Sequence, residues 1–142
     1  MKHIIKKLFI TTLVGTLTYF VFGWFIFDFL LGNYTELNTT QLSGFKKTGE
    51  QYSLVFLIVS CCAYAALISF VLVYLLNIKN LSKAYWVASV IGVLVAIMAD
   101  TFWYATSNFY SNFTVVVFDI LAAAITVGFM GLTIAFANKK LE

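Results

Sequence analysis

Four apolar runs, about Leu8–Leu31, Ser53–Leu76, Ala84–Ala105 and Phe113–Ala137, take up nearly the whole chain. Each is close to the ~20 residues that cross a ~30 Å hydrocarbon layer at ~1.5 Å per helical residue. Hydrophobic residues make up 62% of the 142 and charged residues 11%, against roughly 45–50% and about 25% in an ordinary soluble domain. A water-soluble fold of this length has no interior large enough for that surface. Disorder is excluded too, because disordered chains are poor in apolar residues and rich in charge and proline, and this chain has no proline. The expected architecture is an all-α integral membrane protein, a four-transmembrane-helix bundle forming one membrane domain over residues 1–142.

The first run follows Met1-Lys2-His3-Ile4-Ile5-Lys6-Lys7 and so has the charged leader of a secretory signal. Its apolar part is far longer than the usual ~7–15 residues, and no A-x-A site follows; it reads as a retained signal anchor. Lysine placement sets the direction. Lys2, Lys6, Lys7, Lys79, Lys83, Lys139 and Lys140 fall on one side of four crossings, and Lys46 and Lys47 on the other. By the positive-inside rule both termini are expected in the cytoplasm, with the connections at Gly32–Tyr52 and Ser107–Asn112 outside. The first is the only sizeable outer loop, hence the candidate recognition surface.

Charge inside a bilayer costs roughly 2.5–3.5 kcal/mol per central Asp on insertion scales, so the intramembrane carboxylates carry most of the functional information. They are Asp28, Asp100 and Asp119. Counted from the outer helix ends, Asp28 is expected roughly 5 Å deep, Asp100 roughly 10 Å and Asp119 roughly 9 Å. The hairpin of the third and fourth helices turns near Tyr110, which sets Asp100 and Asp119 at one height. Small and polar residues recur every three to four positions around each: Ser89, Gly92, Ala96, Asp100, Trp103 or Tyr104 and Ser107 on one helix; Asp119, Ala122, Thr126, Met130, Thr133 and Ala137 on the next. Such stripes let helices approach closely in lipid. Two carboxylates brought together at low dielectric should share a proton, bind a cation or recruit an ammonium, and Lys46 and Lys47 are the lysines placed to supply one. Tyr104 and Asn108, on the next turns of Asp100, are the expected hydrogen-bonding neighbours. A purely structural reading competes, in which the aspartates pin helix register and are solvated from the rim. Asp28 is near enough to the interface to reach water.

Other chemistry is sparse. Cys61 and Cys62 are adjacent and lack redox C-x-x-C spacing; they read as small buried residues. His3 is the only histidine, which excludes a bis-His haem and a His-rich metal site in the bundle, and no cofactor is expected. No phosphate loop or Ser-His-Asp set is present, so an enzyme, for instance one acting on lipid, would have to work with Asp, Tyr and loop Lys alone. All nine basic residues are lysine; without an Arg fork, and with lysines accounted for by orientation, nucleic acid is not an expected partner. Aromatics gather at the helix ends as an interfacial belt, with Trp24, Trp103 and Tyr104 as an alternative stacking pocket. The sequons at Asn33, Asn38 and Asn112 fall outside, two of them nearly in the membrane, and read as chance.

A faint repeat runs through the chain: Gly15–Asn33 echoes Gly92–Asn108, and Asn77-Ile78-Lys79 echoes Asn138-Lys139-Lys140. Duplication would give two parallel two-helix units, a kind of repeat known in transporter folds; shared apolar composition would give the same echo by chance. At Gly23-Trp24-Phe25-Ile26-Phe27-Asp28-Phe29-Leu30-Leu31-Gly32-Asn33 and at Asp100-Thr101-Phe102-Trp103-Tyr104-Ala105-Thr106-Ser107-Asn108 the chain resembles small four-helix membrane proteins of Bacteroidota. It also loosely resembles the uncharacterised DUF1761 family of bacterial membrane proteins. The resemblance implies an inner-membrane bundle and no particular activity.

Two functional classes remain open. One is a binding or transport-type module with an outward-facing polar site for a proton, cation or small polar molecule at Asp100 and Asp119. The other is a structural or accessory subunit whose stripes and outer loop contact a second copy or another membrane protein.

Overall fold

The computed structural model describes residues 2–40, 47, 51 and 53–141, and among these every regular element is helical. Helix α1 (Lys2–Gly23) continues as a π-helical end over Trp24–Leu30, and a short α2 (Gly32–Leu37) follows. Helix α3 (Leu54–Ser69) likewise ends in a π-helical segment, Phe70–Leu75, before α4 (Leu81–Thr106) and α5 (Phe113–Lys140). Four of these, His3–Leu30, Leu54–Leu75, Leu81–Thr106 and Phe113–Lys140, are long and apolar enough to cross a membrane. The expected runs are thus found as helices, with two differences. The first helix begins in the lysine-rich leader itself, and the start of the outer loop is helical.

Local chemistry explains the boundaries. Asn80 and Asn112 precede α4 and α5, and their side chains accept from the backbone N–H of Lys83 (3.0 Å) and Val115 (3.2 Å); each fills one of the four donors that a helix start leaves unpaired. Both π-helical ends show i→i−5 bonds, Leu31 N–H to Ile26 C=O and Leu76 N–H to Val71 C=O, each 3.0 Å. Each also carries a stacked i,i+4 aromatic pair, Phe25–Phe29 and Phe70–Tyr74. Asn77 then takes a left-handed φ of 43°, which Asn tolerates better than most residues, and the Ile78 N–H turns back onto the Leu72 carbonyl at 2.7 Å.

The spanning helices pack in the order α3, α1, α5, α4. This row draws together at the end carrying both termini, where the π-helical end of α3 also reaches α5 and α4. We call this the terminal end, and the opposite end, with α2 and the α4–α5 turn, the turn end. Every residue from 54 to 60 is exposed, so the first turns of α3 stand away from the other helices, and their apolar side chains on all faces fit a lipid surround. The core lies toward the terminal end, around Ile68, Leu72, Ile78, Ala84, Ala88, Met130 and Ile134.

Close approach rests on small residues. A Cβ on Gly92 would come within 2.8 Å of Val127 Cβ and 3.1 Å of the Ala123 carbonyl, so α4 and α5 meet nearly backbone to backbone. Ser89 exploits that proximity and donates across to the Ala124 carbonyl at 2.9 Å. At the α1–α5 seam, Gly15 plays the same part: a Cβ there would lie 2.8 Å from Ile134 and 3.2 Å from Ala65. The Thr18 and Thr133 hydroxyls bridge this seam at 2.9 Å.

Candidate polar site at the turn end

The buried face of α4 comprises Ala84, Ala88, Ser89, Gly92, Ala96 and Asp100, a run of one-turn and near-one-turn steps that ends in the carboxylate. Because the small residues bring α5 against this face, Asp100 is carried into the seam and is only 6% exposed. Asp119, half-buried on α5, is near enough to Asp100 for the two carboxyls to feel each other's charge, in keeping with the equal heights expected from the hairpin. The chain carries no lysine between Lys83 and Lys139 and no arginine anywhere, so neither α4 nor α5 brings a cation to this depth.

The two Asp100 oxygens have different surroundings. Oδ1 accepts the Tyr110 hydroxyl at 3.0 Å. Oδ2 is fully buried with no hydrogen-bond partner, and the neighbouring Asp119 carboxyl can be a donor only when protonated. Tyr110 lies in the α4–α5 turn, where burial first, then the charges of Asp100 and Asp119 and the bond to Asp100, push its phenol well above the ordinary value. It is a neutral donor throughout the physiological range.

Tyr110 is held there by the segment that follows α2. Thr39 pairs with it in an isolated antiparallel bridge. The Thr40 N–H donates to the Phe109 carbonyl at 2.8 Å, and the Ser111 N–H to the Asn38 carbonyl at 3.0 Å. The Ser111 hydroxyl reaches the same carbonyl at 2.7 Å, and the Thr40 hydroxyl donates to the Asn108 carbonyl. Asn112 Nδ2 donates to Asn38 Oδ1 at 2.8 Å, while Asn38 Nδ2 donates to the Tyr34 carbonyl at 2.9 Å, so two of the three sequon amides are engaged within the protein. Tyr34 meets Phe118 edge-on at 5.2 Å. Residues 38–40 thus strap the turn that covers the carboxyl pair.

The remaining expected residues are dispersed. Tyr104 is exposed and packs edge-on against Phe113, and Asn108 is exposed, contributing its backbone carbonyl to the strap. The hydroxyl on Asp100 belongs to Tyr110. Tyr110 is the turn centre, beyond the end of α4, where helical spacing from Asp100 does not reach. Asp28, Trp24 and Trp103 are exposed, and Trp103 packs on Phe102 and Phe109. Lys47 is exposed, and Lys46 lies outside the described residues, as does most of the later part of the Gly32–Tyr52 loop. Cys61 is buried and Cys62 half-buried, both as free thiols. Among the described residues no three His, Cys, Asp or Glu side chains gather as metal ligands.

Below the pair, toward the terminal end, the ring of Tyr19 on α1 meets that of Tyr64 edge-on at 5.2 Å. The Tyr64 hydroxyl is buried without a partner. No family model, no curated protein and no solved structure matches this chain.

Proposed function

We infer that this is a multi-pass protein of the bacterial inner membrane, with both termini cytoplasmic, that works as a binding or transport-type module. Its outward-facing site at Asp100 and Asp119 holds a proton shared between the two carboxyls. The observation that carries this reading is Asp100 itself: 6% exposed, one oxygen bonded to Tyr110 and the other buried beside a second carboxyl. Two charges in that position repel each other and lose their hydration, whereas one proton between them removes a charge and supplies Oδ2 with its missing donor. The seven-to-two lysine division supports the orientation. The packing of α1 on α3 and of α4 on α5 is compatible with two parallel two-helix units.

The accessory-subunit reading has less to work with. The buried α4 stripe it would offer to a partner is packed against α5, and Thr133 of the α5 stripe against Thr18 of α1.

The test is proton movement into vesicles containing the full chain, followed with an entrapped pH-sensitive dye under an imposed pH gradient. The wild type should carry protons faster than empty vesicles, and Asp119→Asn should bring the rate down to theirs. A wild type no faster than empty vesicles, or an Asp119→Asn variant that keeps the full rate, would overturn the reading.

A further inference from the structure

Gly15, Ala65 and Ile134 meet at one level where α1, α3 and α5 converge. One helical turn toward the terminal end, on the same three faces, stand Thr11, Ser69 and Asn138, because residues four apart on a helix lie one above the other. All three are polar, and all three are 0% exposed. Their hydrogen bonding is incomplete. Thr11 donates its hydroxyl to the Lys7 carbonyl at 2.9 Å, and Asn138 donates Nδ2 to the Ile78 carbonyl at 3.1 Å. Asn138 Oδ1 and Ser69 Oγ have no partner. A serine within a spanning helix ordinarily returns its hydroxyl to a carbonyl one turn back, as Thr16, Thr18 and Thr126 do here. Ser69 does not, and it stands where α3 gives way to its π-helical end, a kind of junction often associated with functional sites.

We propose that Thr11, Ser69 and Asn138 form a second polar site that holds a water molecule, and that this water is the terminal-end station of the proton route starting at Asp100 and Asp119. The chemistry selects the occupant. Asn138 Oδ1 is an acceptor only, the Thr11 oxygen has acceptor capacity left, and Ser69 can either donate or accept. A small neutral molecule with two donors and two acceptors satisfies all three, and buried waters ordinarily make two to four such bonds. Between this layer and the carboxyl pair lie the hydroxyls of Tyr19 and Tyr64, the latter also buried without a partner. One turn beyond Thr11, Lys7 is itself buried. Polar side chains therefore occur in the interior at several levels between the two ends. Occupancy by water stands on the layer's own geometry; the relay role rests on the reading of the aspartates as a proton site.

Water-edited solid-state NMR on the full chain in lipid bilayers reads occupancy. The Asn138 side-chain amide should receive magnetisation from water at short mixing times, and the buried methyl groups of Ile68 and Val127 should not. A silent Asn138 amide overturns the site. The relay role is read by the vesicle assay with Ser69→Ala, chosen because it removes one hydroxyl with little change of volume. Ser69→Ala should slow proton entry about tenfold, the equivalent of roughly one hydrogen bond. If Asp119→Asn abolishes entry and Ser69→Ala leaves it unchanged, the relay fails and the carboxyl site stands. If the wild type itself carries no protons, both fail.

Discussion

Tyr110 shows how one side chain outside the spanning segments serves a group within them. Its hydroxyl gives Asp100 a single hydrogen bond, of the order of 1 kcal/mol in stability, and Tyr110→Phe should lower the unfolding midpoint in detergent at pH 8 accordingly. The pH dependence has a definite sign. Burial and the neighbouring carboxyls raise the Tyr110 phenol in the folded protein, so the folded state holds this proton more tightly than the unfolded chain does. The contribution is complete below the ordinary phenol value of about 10 and is lost as pH climbs through the interval above it. The gap between wild type and Tyr110→Phe should therefore narrow from pH 8 to pH 11. A gap that widens, or no gap at pH 8, would mean that the hydroxyl does not hold the carboxylate.

At the scale of elements, what was legible in the sequence was what periodicity controls. The four spans follow from apolar length, and the α4 stripe from Ser89 through Gly92 and Ala96 to Asp100 is the buried face of that helix. Packing on that face, with the hairpin count, was enough to bring Asp100 and Asp119 together. What was not legible depends on features that have no period. Asn108 continues the helical spacing of Asp100, but α4 ends at Thr106, and beyond a helix end that spacing no longer describes direction; Tyr104, still within α4, is exposed and packs on Phe113. The strap of residues 38–40 is made of backbone hydrogen bonds to a turn some seventy positions away in sequence, and backbone pairing leaves no compositional trace. The polar layer of Thr11, Ser69 and Asn138 needs three helices in register. That register is set by Gly15 fitting against Ile134 and Ala65, a packing fact rather than a pattern in any one helix. Lys7 shows the same limit: it belongs to the charged leader in sequence and is buried in the fold.

On the scale of the whole molecule, the helices draw together at the terminal end, while α3 stands apart at the turn end. The two polar sites sit toward opposite ends of this arrangement, with Tyr19 and Tyr64 between. Its direction in the membrane can be checked by labelling. In a Cys61→Ala, Cys62→Ala background, Gly44→Cys should react with an impermeant thiol reagent added outside intact cells and Asn80→Cys should not; the opposite pattern would reverse the orientation. The central claim, a proton held between Asp100 and Asp119, is tested most directly by infrared spectroscopy of the protein in lipid at pH 7 with isotope-labelled aspartate. The account predicts the C=O stretch of a protonated aspartic acid in the wild type and its loss in the Asp100→Asn, Asp119→Asn double variant. A wild-type spectrum containing only ionised aspartate would contradict it.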